Sequence, residues 1–332
     1  MTKIKIAING FGRIGRCFFR CAFDQPNFEI VAINDLTDSK TLAHLLKYDS
    51  VHRVYKHKVE HDDRNLIVNG KIIKIISAKE PQSLPWKELG VDIVIESTGL
   101  FLTKESAGKH FAAGAKKVIL SGPANDDDIR TIVMGVNDDT LLKSDTIISN
   151  ASCTTNCAAP MLKVLKQFGI EEAYISTIHA YTGDQRIHDA PHKDLRRSRA
   201  AAESIIPTST GAAKAITKIF PEMAGKIGGC GIRVPVANGS LTDITCVITK
   251  VPTVKEINQA FKDASQNQLK NILEHTEDQI VSVDIIGNTH SAIFDSEFTS
   301  VVGNLIKIIG WYDNEWGYSN RLVDLVNKIQ TL

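Results

Sequence analysis

The sequence predicts an α/β protein in two parts: a doubly wound parallel sheet first, then an α+β half with a mixed or antiparallel sheet. Three observations carry this. Short β-branched runs alternate with helical stretches as far as Asn150. A glycine-rich turn, INGFGRIGR, interrupts the first run and opens the first helix. Beyond Ser152 the apolar residues change to period-2 alternation.

In the first half, Lys3–Ile8 reads as a strand, Arg13–Phe23 as a helix and Phe28–Asn34 as a second strand. Leu42–Tyr48 is a short helix. Val91–Thr98 and Lys117–Ser121 are apolar enough for buried parallel strands, and Ser144–Asn150 closes the set. In the second half a helix over Cys153–Phe168 leads to strands at Ala173–Tyr181, Gly231–Val236, Leu241–Thr249 and Leu305–Asp313. Helices are predicted at Ser209–Phe220, Val254–Asn267 and Ser319–Ile329. The polar, basic stretch from Gln185 to Pro207 has no periodicity, and connections of that length are often functional.

Length and composition set the class. The 332 residues suit two domains, and 43% hydrophobic with 23% charged residues excludes disorder and coiled coil. A formal net charge of +1 gives no drive toward nucleic acid or anionic membrane. MTKIKIAINGFG is interrupted too early for a signal peptide, and no apolar run is long enough to span a bilayer. The six cysteines therefore read as free thiols in a reducing cytoplasm.

Gly10, Gly12 and Gly15 form a G-x-G-x-x-G turn between strand and helix. Such a turn brings backbone N–H groups and a helix N-terminus against a pyrophosphate. Asp35 ends the second strand, 20 residues beyond Gly15. A carboxylate there accepts from ribose hydroxyls and repels a 2′-phosphate, so NAD is expected over NADP.

Cys153 begins a helix after the last strand of this set, where the helix N-terminus favours thiolate. The pair Cys153–Cys157 lacks zinc-site spacing and no Cys/His cluster lies near, so no metal is predicted. Cys157 reads as a small buried residue, as do Cys17, Cys21, Cys230 and Cys246. Asn150 or Ser152 caps the helix. His179 ends the strand STIHAYTGD in the half that Cys153 opens, and the other nine histidines receive no role. A thiol, a base and a hydride acceptor together make aldehyde oxidation through a thioester possible. Arg197, Arg199 and Arg233 are bidentate donors suited to phosphate. Ser152, Thr154, Thr182 and Thr210 add small hydroxyls.

These motifs carry a resemblance. NGFGRIGR at Asn9–Arg16, AIND at Ala32–Asp35, ESTG at Glu96–Gly99, ASCTTNC at Ala151–Cys157, HAYTGDQR at His179–Arg186, STGAAKA at Ser209–Ala215, RVPV at Arg233–Val236 and WYDNEWGYS at Trp311–Ser319 together resemble the phosphorylating glyceraldehyde-3-phosphate dehydrogenases of the glycolytic type, over essentially the whole chain. The resemblance implies a Rossmann NAD-binding domain over 1–151, a catalytic domain over 152–314 and a terminal helix, 315–332, returning to the first domain. It implies Cys153 as nucleophile and His179 as its base. Contacts to NAD would come from Gly10, Gly12, Arg13, Ile14, Gly15, Asp35, Lys79, Ser121 and Asn314. Thr182 and Arg233 would bind the substrate phosphate, and Ser152, Thr154, Thr210 and Gly211 the attacking inorganic phosphate, with Arg197 near both. The loop Tyr181–Ala202 would lie between subunits of a homotetramer. The chain departs from the family pattern at Val236–Ser240, at Ala190-Pro191 and at Lys79, where many members have arginine.

The expected reaction is thus oxidation of glyceraldehyde 3-phosphate with inorganic phosphate and NAD. An erythrose 4-phosphate dehydrogenase of the same family is the alternative. A thiol hydrolase would leave the glycine turn and Asp35 without a purpose, and an idle NAD-binding relative would leave Cys153 and His179 without one.

Overall fold

The computed structural model describes residues 3–332; Met1 and Thr2, the start of the N-terminal stretch read above, lie outside the described residues. The chain divides into two compact units. The first runs to Ile132 and takes in Asp138–Ala151 and Ser319–Leu332; the second comprises Val133–Asn137 and Ser152–Tyr318.

The first unit holds strands β1 (Ile4–Asn9), β2 (Phe28–Asn34), β3 (Tyr48–Asp49), β4 (Arg53–Val54), β5 (Val59–His61), β6 (Asn65–Val68), β7 (Lys71–Ile76), β8 (Ile93–Glu96), β9 (Lys117–Leu120), β10 (Arg130–Thr131) and β11 (Ile147–Ser149). Its helices are α1 (Arg13–Ala22), α2 (Ser39–Lys47), α3 (Trp86–Leu89) and α4 (Lys104–Ala112). Nine strands form one sheet in the order β10-β11-β9-β8-β1-β2-β7-β6-β5. Pairing is parallel from β10 to β7 and antiparallel beyond, at β7–β6–β5. The order reverses direction at β1, with β2 on one side and β8 on the other, which places the switch point at the carboxyl ends of β1 and β8. Ala7, Val94, Val118 and Leu120 fill the core there because strands covered on both faces must be apolar throughout.

The sequence reading assigned nothing to Lys71–Ile76, to α4 or to His110. The structure gives His110 a structural role. His110 has no exposure: its Nδ1 accepts from Trp86 Nε1 (3.0 Å) and its Nε2 faces Glu96 Oε2 (3.0 Å). Trp86 can only donate, so the proton sits on Nε2 and is given to the carboxylate. Two partners distant in sequence make burial of a polar ring possible.

The second unit is built on α5 (Cys153–Leu165), β12 (Ile170–Ala180), β13 (Ile206–Thr208), α6 (Ala212–Ile219), β14 (Ile227–Val234), β15 (Ser240–Ile248), α7 (Val254–Gln266), β16 (Leu273–Thr276), β17 (Ala292–Val302), β18 (Leu305–Tyr312) and the start of α8 (Trp316–Gln330). Seven strands form a mixed sheet in the order β13-β14-β12-β15-β18-β17-β16. In β15 the residues alternate between buried and half-buried, the signature of a sheet covered on one face. Helix α5 lies against β12, β15, β17 and β18. It comes in so closely at β18 that a Cβ on Gly310 would stand 2.4 Å from Met161 Sδ. The segment 133–137 joins this unit through Lys163, whose Nζ donates to Gly135 O (2.7 Å).

Candidate active site

In the first unit the glycine turn spans the end of β1 and the start of α1. Gly10 has φ +92° and a Cβ there would meet Thr98 N at 2.7 Å, while a Cβ on Gly15 would sit 2.2 Å from Gly10 O. Both contacts demand glycine. Gly12 differs: a Cβ would meet nothing within 4 Å. It stands at the N-cap of α1, where no side chain caps the helix and no acid occupies the first turn. Open space over an uncapped helix N-terminus fits a pyrophosphate. Asp35 Oδ2 accepts from Phe11 N (2.8 Å) and Oδ1 from Thr37 N (3.0 Å), so the carboxylate is fixed against the turn. Arg13 makes a two-pronged pair with Asp49 (2.7 and 3.1 Å). Lys79 is exposed, and Ser121 is half-buried with its N–H given to Glu96 O (2.9 Å).

In the second unit Cys153 is the first residue of α5. Ser152 is the N-cap, its hydroxyl accepting from Thr155 N (3.1 Å) and lying 2.8 Å from Thr155 Oγ1. Of the two caps considered, the structure selects Ser152. Cys153 is half-buried, whereas Cys157 is fully buried, 3.9 Å from Met161 Sδ and 3.8 Å from Gly310 O. Burial pushes the Cys157 thiol up to about 12. Burial also pushes the Cys153 thiol up, but the Arg233 charge and the Thr154 N–H pull the other way. Of the two, Cys153 is the one both reachable and served by groups that stabilise a thiolate.

Cys153 Sγ lies 3.4 Å from His179 Nε2. On the far side of the ring, Nδ1 is 2.7 Å from the Ala180 carbonyl, a pure acceptor. Nε2 is the ring nitrogen that faces the thiol. Burial, then the neighbouring Arg233 charge, push His179 down to about 3, so the imidazole is held neutral, the form in which it accepts a proton. Arg233 reaches the site from β14, where it is the parallel register partner of His179 on β12. Its Nη1 donates to Ala180 O (3.0 Å) and lies against His179 Nδ1.

The remaining expected residues divide. Thr182 hydroxyl donates to Asp184, and Arg197 pairs with the same carboxylate, while Arg197 Nε donates to Thr208 Oγ1 (2.9 Å). Arg233 Nη2 stands 3.8 Å from Asp184 as well. Thr182, Arg197 and Arg233 therefore meet at one point. Thr210 caps locally, its Oγ1 accepting from Ala212 N (3.2 Å), and Gly211 is the N-cap of α6. Thr154 does not present its hydroxyl: Oγ1 is buried 2.9 Å from Tyr312 Oη. Asn314 is buried, its Oδ1 accepting from Ser240 Oγ (2.8 Å), which in turn accepts from Ala180 N (3.1 Å).

Sequence reasoning missed three of these supports. Tyr312 joins Thr154 to Thr177 Oγ1 (2.8 Å) and stands edge-on to the His179 ring, 6.0 Å between centroids. Ser240 links the His179 strand to Asn314. Asp184 gathers the arginines. Tyr312 and Asp184 lie inside quoted motifs, but only tertiary contact reveals their partners. The departure at Val236–Ser240 is itself built in: Gly239 has φ +88°, and a Cβ there would lie 2.2 Å from Ser282 O.

A doubly wound unit with an uncapped glycine turn and an aspartate on the second strand, alongside a unit setting a thiol against an imidazole and arginines, defines an NAD-dependent dehydrogenase. Family models agree: the glyceraldehyde 3-phosphate dehydrogenase NAD binding domain matches residues 4–104, and the C-terminal domain of the same family matches 152–314. The chain is 57% identical over 327 residues to glyceraldehyde-3-phosphate dehydrogenase of Streptomyces coelicolor, covering 97% of each chain. It is 55% identical over 329 residues to glyceraldehyde-3-phosphate dehydrogenase of Geobacillus stearothermophilus, covering 98% of each. With glyceraldehyde-3-phosphate dehydrogenase 2 of Streptomyces avermitilis the identity is 56% over 326 residues. The chain belongs to the glyceraldehyde-3-phosphate dehydrogenase family.

Proposed function

We propose that this chain oxidises D-glyceraldehyde 3-phosphate with inorganic phosphate to 1,3-bisphosphoglycerate, reversibly, through a thioester on Cys153. The observation that carries the reading is the 3.4 Å approach of His179 Nε2 to Cys153 Sγ at the start of α5. Cys153 Sγ attacks the aldehyde carbon as its proton passes by way of His179 to the carbonyl oxygen, which becomes the hemithioacetal hydroxyl; the developing thiolate is favoured by the Arg233 charge and the Thr154 N–H. His179 Nε2 next accepts the proton of the hemithioacetal hydroxyl. NAD, when bound, supplies the two-electron acceptor for that carbon. Inorganic phosphate then attacks the thioester carbonyl, releasing the acyl phosphate and restoring Cys153.

The first unit is assigned as the NAD-binding domain: Gly10, Gly12, Arg13, Ile14 and Gly15 bear the pyrophosphate and Asp35 the ribose, Lys79 and Ser121 are further NAD contacts, and Asn314 is assigned the carboxamide. Thr182 and Arg233 take the substrate phosphate and Ser152, Thr154, Thr210 and Gly211 take inorganic phosphate, with Arg197 near both and gathered with Thr182 and Arg233 on Asp184. The chain is assigned to the cytoplasm as a homotetramer. Ile187 and Leu195, exposed on the 181–202 loop, are apolar surface that a neighbouring subunit would cover. No helix among the described residues is long and apolar enough to cross a membrane.

Following NADH absorbance with the triose phosphate and NAD, with and without inorganic phosphate, tests this reading. Turnover that requires phosphate and favours the triose over erythrose 4-phosphate is expected. Phosphate-independent turnover, or a preference for the tetrose, contradicts it.

A further inference from the structure

We propose that Asp184 is a built-in competitor for the substrate phosphate: in the ligand-free protein its carboxylate occupies the clamp made by Thr182, Arg197 and Arg233, and an entering anion takes those donors from it. The inference rests on the assignment of that clamp to the substrate phosphate. One carboxylate oxygen accepts from the Thr182 hydroxyl and stands 3.8 Å from Arg233 Nη2; the other accepts from Arg197 Nη1. The donors expected to hold a phosphate are thus the donors already engaged by a side chain of the same loop.

Three features suit the carboxylate to occupying the clamp and yielding it. Its side chain is 42% exposed, against 20% for Arg197 and 14% for Arg233, so it is the outermost member and can withdraw into water. It sits in a short turn closed by Gln185 N on Thr182 O (3.0 Å) and containing Gly183, so a small backbone change moves it. Arg197 stays anchored without it, through Nε on Thr208 Oγ1 (2.9 Å) and a 3.7 Å approach to Asp194. Burial works against ionising Asp184, but the Thr182 hydroxyl and the charges of Arg233 and Arg197 outweigh it and hold the carboxyl below its ordinary range. The clamp therefore carries one net positive charge when empty instead of two. A phosphate, with more charge and three acceptor oxygens, outcompetes the carboxylate, yet binds less tightly than it would to bare arginines. Easier release of the phosphorylated product is the consequence.

The test compares inorganic sulfate binding to the full-length protein and to Asp184→Asn by calorimetry at fixed ionic strength, with Asp184→Ser as a second variant and melting temperature and NAD binding as checks of folding. Because the carboxylate is partly screened by water, the expected gain in sulfate affinity is roughly three- to tenfold. That gain should vanish in an Arg197→Gln background. Equal or weaker sulfate binding in folded variants would make Asp184 a prop for the arginines and overturn the proposal. NADH formation is followed on the same samples. Its absence from the unmodified protein would count against the proposed reaction while leaving the sulfate comparison intact.

Discussion

His179 and Arg233 are register partners on adjacent parallel strands, so a permanent positive charge is fixed beside the ring that has to accept a proton. Register alone sets this, since partners on neighbouring strands share a face of the sheet. The charge has opposite effects on the two reacting groups. It lowers the affinity of His179 for a proton and stabilises the Cys153 thiolate. Several measurements follow from this arrangement and its supports.

The two thiols of α5 should separate cleanly. Cys153→Ser is expected to lower turnover by about three orders of magnitude or more while NAD still binds, because an alkoxide is far harder to form than a thiolate. Cys157→Ala should keep turnover within about twofold and lower stability by about 1 kcal/mol, through loss of a small buried group packed on Met161 and Gly310. Steady-state rates and chemical denaturation read both, and a turnover loss at Cys157 would contradict the assignment.

The pair between Arg13 and Asp49 gives a pH signature. Burial opposes ionisation of Asp49, but the His52 and Val51 N–H groups and Arg13 outweigh it and bring the carboxyl from 3.8 to about 2. An acid held below its unfolded value stabilises the fold above that value, and the contribution fades as pH falls through about 2. Asp49→Asn should therefore lose about 1–2 kcal/mol at pH 7, discounted because Arg13 is one-third exposed. The gap between the two proteins should close as pH drops from about 4 to 2. A gap that widens on acidification would refute this.

Tyr312→Phe removes the hydroxyl that joins two buried ones, on Thr154 and Thr177, and leaves Thr177 only its 3.3 Å bond to the Leu241 carbonyl. A stability loss of about 1–3 kcal/mol is expected. Turnover should fall several-fold as well, since Thr154 follows the nucleophile. An unchanged melting temperature would show that water replaces the phenol.

Gly15→Ala would place a methyl 2.2 Å from Gly10 O, and the turn must deform to admit it. NAD affinity should drop by at least about tenfold, with Cys153 still alkylated at its normal rate by iodoacetamide. Retained NAD affinity would mean that the turn is not the cofactor cradle.

Much of this was legible in the sequence because local chemistry dictated it. Strand β2 lies at Phe28–Asn34 as read, and α5 begins at Cys153, where a serine cap and a run of small residues leave little choice. Strand β17 escaped because its pairing with β18 is interrupted between Asp295 and Ser300, which breaks the alternation. Helix α4 escaped because KESAGKHFA is mostly polar, although the Thr103–Ser106 capping box marks its start. His110 went without a role because its partners, Trp86 and Glu96, are distant in sequence. Within the site, Cys153 and His179 stood out by residue type and position. Tyr312, Ser240 and Asp184 act through side-chain contacts between separate elements or across a folded loop, which no spacing rule encodes.

The most direct test of the central claim is the mass of the Cys153 peptide after the protein is mixed with glyceraldehyde 3-phosphate and NAD in the absence of inorganic phosphate and quenched in acid. The account predicts one acyl group on Cys153 and none on Cys157, discharged when inorganic phosphate is added before the quench. NADH formation with an unmodified Cys153, or an acyl group on another cysteine, would contradict it.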